Sequence, residues 1–138
     1  MPELSKDQRL ARLSTALEAA VAAEARLRKL SNSGNPNVAA DAEAFLIEAR
    51  NVRDDLTVIL ALIGNKPANQ LKPLDPARLA ELGVLEAGID ERVRANQILT
   101  AGLTIVTQVV IAARSVGQIL NETQIAPPAP TGAGSAIV

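Results

Sequence analysis

Between Val38 and Ile63 the apolar residues Ala42, Phe45, Ala49, Val52, Leu56, Ile59 and Ile63 alternate spacings of three and four without a miss. That period is the period of an α-helix with one buried seam, and a strand cannot satisfy it. A heptad-type seam favours a shallow crossing angle and side-by-side packing with a neighbour. The chain is therefore expected to be an all-α bundle of long helices.

Two further segments carry the same signal. From about Leu4 to Leu30, Leu10, Leu13, Leu17, Ala20, Leu27 and Leu30 fall on one stripe, with Glu24 occupying a seam position. Arg9, Arg12, Glu18, Arg26 and Lys29 lie off that stripe and read as a solvated surface. The run Ser31-Asn32-Ser33-Gly34-Asn35-Pro36-Asn37 ends the helix, with Gly and Asn suited to left-handed caps. Gly64-Asn65-Lys66-Pro67 ends the second helix, and a polar connection follows to Leu74.

The third helical region opens at Asp75-Pro76, an acceptor for the free amides followed by a residue that has none to leave unpaired. Leu79, Leu82, Leu85, Ile89, Val93, Asn96, Leu99, Leu103, Val106, Val110, Ala113, Val116 and Leu120 then form a seam that slips once, near Asn96. Gly83 and Gly88 each cost about 1 kcal/mol relative to Ala inside a helix, so a break or kink is expected between them. A buried Asn96 would fix register, whereas an Asn at the slip would bond to water; both readings stand. Past Glu122 the chain turns Pro- and Gly-rich and is expected to be a disordered tail over 123–138.

These boundaries, about 4–30, 38–63 and 75–121, describe an elongated antiparallel three-helix bundle with coiled-coil-like packing. At 1.5 Å per residue the first two helices reach about 40 Å, and an unbroken third nearer 70 Å. Part of the third helix should then overhang its partners.

Composition narrows the function. The 138 residues include no Cys, His, Trp or Tyr and a single Phe, and their formal net charge is -1. A metal site would have carboxylates alone, and the commonest general base is missing. No basic excess draws in a nucleic-acid backbone. Asp54-Asp55 and Asp90-Glu91 are adjacent on helices and point about 100° apart; the first pair, with Arg50 and Arg53, reads as a charged outer face opposite the seam. Gly132-Ala133-Gly134 lacks the flanking strand and helix of a dinucleotide loop. The expectation is a protein without catalytic residues, metal or cofactor. The charged start, with no apolar signal core, suggests a cytosolic location.

The uncharged stretch from Ala95 to Ala113, between Arg94 and Arg114, admits three readings. A membrane span has the length, but Asn96, Gln97, Thr100, Thr104, Thr107 and Gln108 make it too polar. A central core helix would be covered all round. A partner-binding helix would keep one stripe in the bundle and offer a second (Ile98, Ile105, Val109, Ile111) to another chain. The third reading is preferred, with either a client helix or a second copy as the occupant.

The Leu/Ala-rich helices, the segment Val93-Arg94-Ala95-Asn96-Gln97-Ile98-Leu99 and the Gly/Pro tail resemble the FlgN-type flagellar export chaperones. That resemblance implies a cytosolic bundle that holds a helix of its client before export. It maps the client-binding surface onto Leu99, Leu103, Val106, Val109, Val110, Ala113 and Val116. The alternative role is a homo-oligomeric component of a phage or secretion assembly.

Overall fold

The computed structural model describes residues 4–94 and 102–124. Four α-helices account for most of them: α1 (Lys6–Leu30), α2 (Pro36–Gly64), α3 (Pro76–Arg94) and α4 (Leu103–Asn121). The all-α expectation holds.

Side-chain caps set three of the starts. Ser5 and Gln8 form a reciprocal box, Ser5 Oγ accepting from the Gln8 amide at 3.1 Å and Gln8 Oε1 from the Ser5 amide at 2.8 Å. The Asn35 side chain accepts from the Asn37 and Val38 amides, so α2 begins at Pro36, two residues before the apolar pattern. Asp75 Oδ1 accepts from the Ala77 amide at 3.1 Å ahead of α3. Each acceptor satisfies amides that the first helical turn leaves without a partner. The stop after α1 differs from expectation. Ser31 closes it in the right-handed region (φ -68°), its amide donating to Leu27 O and Lys29 O, and no left-handed residue is needed.

The single long third helix is corrected to two helices of 19 residues each. α3 runs through both Gly83 and Gly88, where the break was expected. Leu82 and Ile89 are buried on either side, and packing of those side chains outweighs about 1 kcal/mol of backbone preference per glycine. Among the described residues, α4 starts afresh at Leu103, with Gly102 as the extended residue before it. Asn96 and Leu99 lie outside the described residues.

Among the described residues neither helix of this region is longer than α1 or α2. α3 and α4 are each about 28 Å long, against about 37 Å for α1 and 43 Å for α2. α3 packs on α4, and Arg78 near its start donates to Glu122, just past the end of α4, at 2.7 Å. The connection after α2 makes a 3-10 turn at Ala68–Gln70, and the Lys72 amide donates to Thr123 O at 2.7 Å. Thr123 is buried, so the packed chain continues past the tail boundary placed at residue 123. The remaining tail residues, 125–138, lie outside the described set.

α1 packs most extensively on α2, and α4 contacts all three other helices. The face of α1 that meets them is small: Ala16, Ala19, Ala20 and Ala23 are buried beside Leu13 and Leu27. Val106, Val110, Ala113, Val116 and Leu120 of α4 are fully enclosed, as are Leu56 and Ile63 of α2. Burying one Val or Leu side chain contributes about 1.5–3 kcal/mol gross, so the α4 seam is a large share of the core. Arg9, read as solvated, is buried, with its Nε donating to Leu4 O at 3.1 Å.

Two glycines separate propensity from packing. A Cβ at Gly83 would meet open space, whereas one at Gly117 would lie 2.6 Å from Leu56 Cδ2. Leu56 is buried and has little room to yield. Gly83→Ala is expected to raise stability by about 1 kcal/mol. Gly117→Ala should lower it by about 1–3 kcal/mol, despite the same gain in helix propensity. Urea unfolding followed by circular dichroism measures both; stabilisation by Gly117→Ala would refute the close packing of α2 on α4.

Candidate partner-binding groove

The residues expected to receive a partner are mostly bundle core. Val106, Val109, Val110, Ala113 and Val116 are buried within the single chain, Leu103 is half-buried at the rim, and Leu99 lies outside the described residues. The reason is the fourth helix. A long third helix would have left the carboxyl-terminal seam short of neighbours, but α3 packs on α4 and supplies them. Of the second stripe, Ile105 is half-buried and Val109 buried; Ile111 is 44 % exposed. Ile98 lies outside the described residues. α4 has the length and apolarity of a membrane span. Its buried side needs that same apolarity to make core.

Among the described residues, three large exposed apolar side chains lie on α2, and Val21 of α1, Val84 of α3 and Ile111 of α4 stand one to a helix. Ile47, Val58 and Leu62 are 62, 55 and 47 % exposed. Their spacing carries the signal: Val58 is three helical turns from Ile47, and Leu62 follows four residues later, all off the seam.

Beside this face an open groove runs between α2 and α4. Its first stretch is lined by Asp41, Ala44, Phe45 and Glu48 of α2 and by Leu103, Thr107 and Ile111 of α4. Its second is lined by Val52, Asp55, Val58, Ile59 and Leu62 of α2 and by Gly117, Gln118 and Asn121. Arg114 lines both and donates to Glu48, so one ion pair crosses the groove between the two stretches. Gly117 lets Leu56 lie close beneath the second stretch.

Charge is unevenly placed. Arg114 is the one charged residue of α4, whereas α2 brings Asp41, Glu48 and Asp55 to the groove. Glu48 is taken by Arg114. Asp41 and Asp55 are exposed, and neither forms an ion pair among the described residues.

Two other ionic clusters tie helices together. Glu24, at its seam position, is almost fully buried and accepts from Arg53 Nη1 at 2.6 Å and Arg28 Nη2 at 2.8 Å, with Arg50 Nε at 3.5 Å. Arg50 and Arg53, read as part of an outer face, reach across from α2 to neutralise it. A buried carboxylate is tolerable only with such partners, and the requirement helps set the register of α1 on α2. Arg12 Nη1 donates to Glu86 Oε1 at 2.7 Å and ties α1 to α3, beside a shallow hollow lined by Ala11, Thr15, Ala16, Ala87, Ile89 and Val116.

Comparison with protein-family models, with curated proteins and with solved structures gives no match.

Glu86 offers a pH test. Burial raises its carboxyl above the usual range, and the nearby Arg12 charge, which lowers it, does not fully offset that. A carboxyl held higher in the folded than in the unfolded state favours folding while it is protonated. Its contribution is complete below the unfolded pKa and is lost as pH rises through the raised folded value. Glu86→Gln should remove that decline, because a neutral amide can still accept from Arg12. Urea midpoints from about pH 4 to pH 8 should fall less steeply in the variant than in the parent. A steeper fall in Glu86→Gln would contradict the assignment.

Proposed function

We propose that this chain is a non-catalytic binding protein that holds an amphipathic helix of another protein in the groove between α2 and α4. The observation that carries the reading is that exposed Ile111 in the first stretch and exposed Val58 and Leu62 in the second line an open groove whose walls are largely apolar. Isolated exposed apolar residues are ordinary; a set aligned along one groove is the kind of surface that takes a helix. In this reading the bundle is elongated, with coiled-coil-like packing and α1 antiparallel to α2. Support comes from Leu10 lying against Gly64 while Glu24 meets Arg50 and Arg53.

Binding draws on burial of apolar surface, about 25 cal/mol per Å² gross, less the cost of ordering two chains. A client whose helix is covered in this way is kept from aggregating or assembling early. That is a chaperone or adaptor role in the cytosol, and an export client of a flagellar or secretion system is the instance to which the sequence resemblance points.

The test is differential capture with the full chain and with Val58→Asp/Ile111→Asp. Both positions face solvent, so the double variant should keep its unfolding free energy within about 1 kcal/mol. A client retained by the parent and lost by the folded variant is the expected result. Equal retention by both would overturn the groove as the binding site.

A further inference from the structure

The groove's charge identifies the chemistry of its occupant. Resting on the reading that the groove takes a helix, we propose that the partner helix carries two cationic residues about four turns apart, with an uncharged stripe between them. Asp41 and Asp55 are fourteen positions apart on α2, both line the groove, and neither has an ionic partner among the described residues. Fourteen residues is close to four helical turns, about 21 Å. A helix laid along α2 therefore meets Asp41 at one end of the groove and Asp55 within its second stretch, ahead of Val58 and Leu62. Between Asp41 and Asp55, Glu48 is neutralised by Arg114, and the remaining lining is mainly aliphatic or aromatic. Lysine or arginine about 14 residues apart on the partner, with an uncharged stripe between, complements that pattern. Opposite charges at the rim steer the approach and fix the register more than they add affinity.

The same charges disfavour other occupants. A phosphate backbone or an anionic lipid surface would meet carboxylates. A second copy joined by a two-fold axis through the groove would bring acidic rim against acidic rim. The chain's own residues 125–138 contain neither Lys nor Arg and cannot supply the cations.

The probe is a designed peptide of about 18 residues with a leucine stripe, one Trp, and lysines about 14 apart. Its counterpart carries Glu in place of the lysines. The protein has no Trp or Tyr, so peptide fluorescence reports binding without background. At low salt the lysine peptide should bind at least about fivefold more tightly than the Glu peptide, and added salt should shrink that ratio. Asp41→Asn/Asp55→Asn should bring the ratio close to one without weakening the Glu peptide.

Equal affinities for the two peptides, both lost in Val58→Asp/Ile111→Asp, would overturn the cationic partner and leave the groove standing. No binding of either peptide would overturn both readings. A stable dimer in sedimentation equilibrium, broken by Ile111→Asp, would assign the groove to a second copy and overturn the proposal.

Discussion

The enclosed seam of α4 is the contact on which the other helices depend. Val106, Val110, Ala113, Val116 and Leu120 are fully buried, and α4 is the helix that touches each of the other three. A core with one Phe and no Trp or Tyr has no large side chains to span gaps. The helices must approach closely instead, and small residues at the contacts permit it: four buried alanines on α1, and Gly117 of α4 against Leu56. Close packing of this kind tolerates neither voids nor added volume.

Where polar groups enter this core they arrive with partners. Glu24 takes a seam position of α1 and draws on three arginines, two of them from α2. Glu86 is half-sheltered on α3 and answered by Arg12 of α1. These pairs add little net stability after desolvation, but a slip of one helix along another would leave a carboxylate buried alone. They act on register more than on strength.

Much of the fold was legible in the sequence. The uninterrupted three-four seam of α2 and the acceptors at Ser5, Asn35 and Asp75 mark helices and starts by mechanisms local to the chain. The division of the third helical region was not legible, because the apolar pattern continues across the point where α4 begins. Gly83 and Gly88 drew the break toward themselves, yet backbone preference yields to burial of Leu82 and Ile89. Most of the expected docking residues lie in the core for a related reason. Periodicity shows that Val106 and Val110 must be covered; it does not say by what, and α3 lying on α4 changes the answer. The α2 partners of Glu24, Arg50 and Arg53, lie 26 and 29 positions along the chain, beyond the reach of any local pattern. The Ile47, Val58 and Leu62 stripe was readable, but the stronger seam beside it on α2 overshadowed it.

α4 therefore has one sealed side and one side open beside α2, and the adjacent residues Val110 and Ile111 separate the two. The chain has no cysteine, so Val110→Cys and Ile111→Cys each introduce a single reporter thiol. Under native conditions a thiol at position 111 should react with a maleimide nearly as fast as in the unfolded chain. At position 110 it should react at least about a thousandfold more slowly, limited by opening of the bundle. Comparable rates at the two positions, or faster labelling at 110, would contradict the account.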